Sequence, residues 1–247
     1  MDRKYPIGIQ DFSEIRKGNY IYVDKTEILY RLVNSGKYFF FGRPRRFGKS
    51  LMISTLEAYF KGEKELFTGL SIDKLEQTWA TRPVLHIDLN NQEYNSRECL
   101  EDILNYYLVK WERLYGKDNS ETSLSLRFAG IIRRASEISG QNVAILIDEY
   151  DKPLIQSLEN EKLQSEYRSI LKAFYSNIKT CDKYIRFALL TGVTRFSRVS
   201  IFSDLNALCL RINMMNLNAI KYRRILIKMP RQTTQDVPAF FYFVYAI

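Results

Sequence analysis

Short apolar runs alternate with longer stretches of helical periodicity along most of the chain. Four of the runs have the apolar and β-branched content of strands, at residues 38–41, 84–89, 143–147 and 185–191. The run at 143–147, VAILI, contains no polar residue. Such a run is typical of a parallel strand buried on both faces, so we expect an α/β fold.

Apolar residues three and four positions apart fill the segments between these runs. They predict helices over residues 25–35, 50–60, 96–115, 124–139 and 161–180. A β-prone run at 20–23 and a polar connection at 61–82, with one short helix, complete the pattern. Strands that alternate with helices at this spacing predict a doubly wound parallel sheet with helices on both faces.

A glycine-bearing loop joins the first strand to the next helix and ends in Gly48-Lys49-Ser50. In this order of elements the loop N–H groups and the helix N-terminus converge on a phosphate. Lys49 is expected on the β- and γ-phosphates, and the Ser50 hydroxyl on Mg²⁺. The full pattern has a glycine five positions before Gly48, where this chain has Arg43, and Gly42 comes one residue early. The residues expected to bind the nucleotide here are Arg46, Phe47, Gly48, Lys49, Ser50 and Leu51.

The strand at 143–147 runs directly into Asp148-Glu149. The first carboxylate at a strand end can hold the Mg²⁺ shell, so we expect Asp148 to be a metal ligand together with Ser50. Glu149 is then the residue expected to polarise the attacking water. The alternative is an ordinary polar residue pair where a strand enters a loop. Both motifs together, with a strand between them, favour a P-loop NTPase fold.

A third candidate is Thr191, at the end of the strand at 185–191. In the strand order expected for such a fold, this strand lies between the strand at 38–41 and the strand at 143–147. Thr191 is then placed to touch the γ-phosphate or the attacking water, and Arg195 or Arg198 adds a positive charge that favours the transition state. The alternative is that Thr191 caps the strand and both arginines are solvated.

Composition narrows the class of protein. The chain has 247 residues, 46% of them hydrophobic, which is enough for one large α/β domain or two small ones. No apolar run approaches a bilayer span, and the N-terminal residues lack the apolar core of a signal peptide. Three scattered cysteines and a single histidine, His86, argue against a disulfide framework and against histidine-based metal or triad chemistry. We therefore expect a cytoplasmic protein with no membrane partner.

The net charge of +9 is unevenly distributed. Residues 209–247 carry six basic residues and one acidic residue, a net charge of +5, which leaves +4 for residues 1–208. A body this close to balance is typical of a mixed solvated surface, and a nucleic-acid partner stays an open alternative.

Four stretches resemble AAA-ATPase-like proteins of gut bacteria and other anaerobes, in which an ATPase-like domain often precedes a PD-(D/E)XK nuclease-like domain. The stretches are residues 6–26, 42–51, 145–154 and 190–208. The resemblance implies a STAND- or AAA-like NTPase domain over residues 1–208 that uses ATP and Mg²⁺. The first loop glycine is commonly missing in that family, and Arg43, Arg45 and Arg46 look like one of its features.

Residues 209–247 do not align with the continuation of that family. We expect them to be an atypical basic and aromatic tail produced by a frameshift or truncation, with the last strand of the sheet lost. The alternative is a genuine lineage-specific helix and strand.

The predicted function is ATP binding with Mg²⁺-dependent hydrolysis. Two alternatives stay open: a non-hydrolysing, nucleotide-gated module that binds DNA or a protein, and an inactive fragment of a nuclease-linked ATPase. Asp24 either lies near the nucleotide base, as the resemblance suggests, or caps the helix at 25–35. The oligomeric state is not indicated.

Overall fold

A computed structural model describes residues 4–44 and 46–193. Within these residues, four strands form one parallel sheet in the order β1-β4-β3-β2. The strands are β1 (Tyr38–Gly42), β2 (Val84–Asp88), β3 (Val143–Asp148) and β4 (Ile185–Gly192). Every residue of β3 is buried, as its uninterrupted apolar sequence predicts.

The strand order confirms the predicted place of the last run, because β4 lies between β1 and β3. The register pairs Gly42 of β1 with Gly192 of β4, and Asp88 of β2 with Asp148 of β3. An irregularity at the start of β3 shifts the register with β4 between Val143 and Ala144. Since the strands are parallel, all of their carboxyl ends lie at one edge of the sheet.

Helices cover both faces of the sheet, as predicted. Their bounds are α1 (Phe12–Lys17), α2 (Thr26–Ser35), α3 (Lys49–Phe60), α4 (Arg97–Tyr115), α5 (Leu124–Ser139), α6 (Lys152–Gln156) and α7 (Glu161–Thr180). The five helices expected from periodicity lie within one residue of those bounds.

Alternate residues of each strand serve the two layers, because successive side chains of a strand point to opposite faces. On β3, Ile145 and Ile147 pack among residues of α4, α5 and α7, whereas Ala144 and Leu146 pack among residues of α2 and α3. A smaller cluster around Phe12 and Phe67 holds α1 against the side of α3.

Two expectations were wrong in detail. The run at 20–23 forms no strand: Tyr20 makes one isolated bridge with Lys4, and the Ile21 N–H donates to the Lys4 carbonyl at 2.8 Å. The run contributes to packing instead, because the centroid of the Tyr22 ring lies 5.2 Å from that of Phe12. The connection at 61–82 contains two 3₁₀ turns, Lys64–Phe67 and Ser71–Lys74, in place of the one short helix.

Other expectations lie outside the described residues: the tail at 209–247, the loss of a last strand, and the residues after 193. Within residues 4–44 and 46–193, no helix is both long enough and apolar enough to cross a bilayer.

A polar contact between Glu57 and His86 fixes α3 on the sheet. The Glu57 carboxylate of α3 lies 2.8 Å from His86 Nδ1 of β2 and 2.7 Å from Lys61 Nζ. Burial alone would raise the pKa of Glu57, but these two partners outweigh it and lower the pKa from 4.5 to about 2. His86 is thus a sheet-face residue that anchors the helix beginning after the Gly48 loop.

The low pKa of Glu57 predicts a pH dependence of stability. A carboxyl whose pKa is depressed in the folded state stabilises the protein above its unfolded pKa, and this stability is lost as the pH falls from about 4.5 towards 2. Between pH 7 and pH 3, we expect wild type to lose about 2 kcal/mol more unfolding free energy than E57Q. Urea unfolding at both pH values measures the difference.

The exposed Glu65 provides the control. E65Q should lose as much stability between the two pH values as wild type does. Equal losses in wild type and E57Q would contradict the assignment of this linkage to Glu57.

Candidate functional site

The site lies at the edge of the sheet where β1, β3 and β4 end. The Arg43 N–H, directly after β1, donates to the Gly192 carbonyl of β4 at 3.1 Å. The Tyr150 N–H, shortly after β3, donates to the Thr191 carbonyl at 2.9 Å. These two hydrogen bonds hold both loops beside the end of β4.

The loop before α3 has the backbone of an anion-binding turn. Arg46 and Gly48 have left-handed conformations, with φ of 66° and 68°. The Met52 N–H donates to the Gly48 carbonyl at 2.9 Å, so α3 begins directly after that glycine. The N–H groups of its first turn, which include those of Lys49, Ser50 and Leu51, carry the positive end of the helix dipole. The geometry suits a phosphate group.

The side chain of Lys49 is turned into the loop and is only 3% exposed. Its Nζ lies 3.2 Å from Glu149 Oε1 and donates to the carbonyls of Arg43 at 3.2 Å and Pro44 at 3.4 Å. One carboxylate and two carbonyl oxygens therefore surround the ammonium group. Oxygens of a phosphate offer the same kind of acceptor with more negative charge.

Asp148 joins three segments of the site through its carboxylate. Oδ2 accepts from the Ser50 hydroxyl at 2.8 Å, and Oδ1 accepts from the Thr191 hydroxyl and from the Glu149 N–H at 3.0 Å. Only 4% of Asp148 is exposed, so these donors compensate for the loss of water. The structure brings together the Ser50, Asp148 and Thr191 of the sequence prediction.

The oxygen atoms of Ser50 and Asp148 suit a magnesium ion. Mg²⁺ is usually held by one or two protein oxygens together with waters and phosphate oxygens. The Ser50 hydroxyl and the Asp148 carboxylate are such a pair, 2.8 Å apart. Among the described residues there is no group of three or more histidine, cysteine, aspartate or glutamate side chains that could hold a metal.

Glu149 has a strained backbone at the end of β3, with φ of 51°. Its N–H is also 3.4 Å from the Thr191 hydroxyl oxygen, which contributes to holding this conformation. Its side chain is 18% exposed and paired with Lys49. In this arrangement the carboxylate neutralises the lysine.

The remaining predicted residues are less tightly placed. Arg46 is exposed and Phe47 is half-buried. The side chain of Leu51 packs against the Phe12 cluster, so only its backbone N–H is placed towards a ligand. Arg195, with Arg45 and Arg198, lies outside the described residues, and its role stays a prediction.

The sequence makes Asp88, at the end of its strand, only a weak candidate for the site, and it does not single out Asp151. Asp88 is the register partner of Asp148, and burial together with the charge of Asp148 raises its pKa. Asp151 is completely buried, and its Oδ2 accepts from the Val193 N–H at 2.9 Å. An acidic residue three positions after Asp148 has no sequence signature that would separate it from a loop residue.

The side chain of Asp24 serves local structure. Its Oδ1 accepts from the N–H and hydroxyl of Thr26 at the start of α2, at 2.9 and 2.7 Å. Its Oδ2 accepts from the N–H and hydroxyl of Ser71, at 2.6 and 2.7 Å. These four bonds tie the start of α2 to Ser71. The N-cap residue of α2 is Lys25, so the predicted role of Asp24 as the helix cap was wrong in detail.

Comparison with known proteins bears on the class of protein. A family model described as "Predicted AAA-ATPase" (AAA-ATPase_like) matches residues 6–202. A protein of Azotobacter chroococcum mcd 1, described as "Uncharacterized protein in vnfD 5'region", is 41% identical over 209 residues. The match covers 83% of this chain and 40% of that protein, so this chain spans less than half of the relative's length. No solved structure matches the chain.

The contacts of Asp148 predict a stability effect at Thr191. T191V keeps the shape of the buried side chain but removes a donor from a buried carboxylate. We expect a loss of about 1–3 kcal/mol in unfolding free energy, because a buried charged acceptor is left with one fewer partner. Urea unfolding at neutral pH measures the loss.

T180V makes the same chemical change on the exposed surface of α7, where the hydroxyl donates to the Ser176 carbonyl at 3.3 Å. We expect a change within about 0.5 kcal/mol there. A similarly small effect of T191V would contradict the role given to the hydroxyl.

Proposed function

The chain belongs to the AAA-ATPase-like family, and on that basis we propose that it binds ATP together with Mg²⁺ and hydrolyses the nucleotide. The observation that carries the proposal is the hydrogen bond between Ser50, in the first turn of α3, and Asp148 of β3, next to the buried Lys49. A cation between these two oxygens and a phosphate over the helix N-terminus would be neighbours.

In this proposal the phosphates of ATP take the place of the present partners of Lys49. Oxygens of the β- and γ-phosphates accept from Lys49 Nζ instead of the carbonyls of Arg43 and Pro44. The N–H groups in the first turn of α3 donate to the same phosphates. Binding therefore releases the Glu149 carboxylate from its ion pair.

The metal is proposed to be Mg²⁺ held by the Ser50 hydroxyl and Asp148, where it would supply positive charge to the β- and γ-phosphate oxygens. The Thr191 hydroxyl, which now donates to Asp148, lies at the end of the adjacent strand. It is proposed to donate to the γ-phosphate or to the attacking water.

Glu149 is proposed as the general base. Its carboxylate accepts a proton from water as the water oxygen bonds to the γ-phosphorus, and the bond from this phosphorus to the β–γ bridging oxygen breaks, giving ADP and phosphate. Arg195, three residues beyond the end of β4, is the proposed source of an additional positive charge for this transition state.

The ion pair between Lys49 and Glu149 favours a second candidate function. A carboxylate that stays on the lysine after binding would leave the water without a base, and the chain would act as a nucleotide-gated module. Its partner, DNA or another protein, would then be the functional target. Hydrolysis measurements distinguish the two functions.

Removing the Lys49 ammonium group should weaken ATP binding. Because hydrogen bonds to charged groups contribute about 1.5–3 kcal/mol, we expect K49A to raise the dissociation constant for Mg²⁺-ATP about 10- to 100-fold. Titration calorimetry with the purified chain measures the constant, and circular dichroism verifies folding.

K37A is the matched control, since Lys37 lies at the other end of β1 and pairs with Asp182 at 2.9 Å. It should bind ATP as wild type does. A folded wild type that binds no ATP, or equal binding by K49A, would overturn the proposed nucleotide site.

The E149Q variant separates hydrolysis from binding. Loss of a general base should lower kcat at least about 100-fold. Affinity for ATP should be unchanged or higher, because Lys49 no longer has to leave a carboxylate. Single-turnover hydrolysis and calorimetry of the same preparation provide both values.

If wild type hydrolyses ATP no faster than K49A does, the proposed hydrolysis is refuted and the nucleotide-gated binding module is the remaining function. Equal turnover in wild type and E149Q would instead show that the base is another group.

A further inference from the structure

The buried carboxylate of Asp151 lies beside the predicted catalytic residues without belonging to them. Asp151 is 0% exposed and precedes helix α6, where its carbonyl accepts from the Ile155 N–H at 2.9 Å. Its side chain turns away from α6 and towards β4. There Oδ2 accepts from the Val193 N–H at 2.9 Å, immediately after the last residue of that strand.

The contact between the two loops is tight on both sides of this hydrogen bond. A Cβ atom added at Gly192 would lie 2.6 Å from Asp151 Oδ1 and 2.6 Å from the Tyr150 ring. The Tyr150 N–H donates to the Thr191 carbonyl at 2.9 Å. The residues that follow β3 and those that end β4 are therefore held together by backbone, side chain and shape.

A buried carboxylate is an expensive way to fill space, because its charge must be compensated by donors. An apolar residue of similar size would fill the same volume, but it would leave the Val193 N–H without this acceptor. The carboxylate thus ties the backbone after Thr191 to the segment that follows Glu149.

We propose that Asp151 is a positioning residue that holds the end of β4 on the Asp148-Glu149 segment, so that the Thr191 hydroxyl and the Glu149 backbone keep their places at the phosphate site. This inference rests on the proposed function for the nature of the ligand. It adds that a phosphate bound at Lys49 slows hydrogen exchange of the Val193 amide, where the chain leaves the sheet.

D151A and D151N test the role in the full chain. D151A removes the acceptor, whereas D151N keeps an oxygen that can accept from Val193. D182A is the matched control, because Asp182 lies before β4 at the opposite edge of the sheet and pairs with Lys37. Three measurements are compared: kcat and KM for ATP, the dissociation constant for Mg²⁺-ATP, and hydrogen exchange at the amides of Glu149 and Val193.

For D151A we expect kcat to fall at least about tenfold while the dissociation constant changes less than about threefold, because the Lys49 loop is intact. D151N should lie between D151A and wild type, and D182A should match wild type. An unchanged kcat in D151A overturns the proposal, and so does a parallel loss of binding and kcat, which indicates a general structural role.

If wild type binds ATP but does not hydrolyse it, the proposed hydrolysis is refuted while the proposed binding stands. Hydrogen exchange then tests the positioning role of Asp151. Mg²⁺-ATP should then slow exchange of the Val193 amide in wild type and not in D151A. The same slowing in both overturns the proposal.

If wild type binds no ATP, the proposed function fails and the positioning role is still tested. Without nucleotide, D151A should speed exchange of the Val193 and Glu149 amides at least about tenfold, with D151N intermediate. An unchanged exchange rate at the Glu149 amide in D151A would show that Asp151 does not position Asp148 and Glu149.

Discussion

The carboxylate of Asp148 is the interaction on which the arrangement of the site depends. It is almost completely buried and accepts from Ser50, from Thr191 and from the N–H of Glu149. A buried charge is tolerated only when donors surround it, and these donors come from three separate segments of the chain. The strand order supplies them, because β4 lies next to β3 and the Gly48 loop follows the strand on the far side of β4.

Electrostatic balance explains how the charged side chains of the site are paired. Lys49 is buried among acceptors, and Glu149 neutralises it at 3.2 Å. On the neighbouring strand, the charge of Asp148 contributes to raising the pKa of Asp88, so further negative charge at this edge is disfavoured. A phosphate would therefore have to bring a cation with it or displace a carboxylate. Both requirements agree with the proposed binding of ATP as its magnesium complex.

Much of the fold followed from the sequence, because the repeat of a helix or strand is a local property. The apolar run of β3 and the three-four spacing of α7 gave bounds that the structure reproduces within one residue. The run at 20–23 shows the limit of a local pattern. Its residues favour a strand, but a strand also needs a neighbouring strand with which to pair, and Tyr20 makes only one isolated bridge. Its Tyr22 instead packs against Phe12.

Sequence alone determined the chemistry present at the carboxyl edge: a lysine and a serine at the start of a helix, and two acids and a threonine at strand ends. Tertiary structure decided which of these groups meet. The pair Lys49–Glu149 and the bonds that Ser50 and Thr191 donate to Asp148 join residues more than 40 positions apart. The same is true of Asp151, whose carboxylate gains its partner at Val193 only because β4 was inserted between β1 and β3. Local patterns cannot encode such contacts, since they depend on how the whole sheet buries both of its faces.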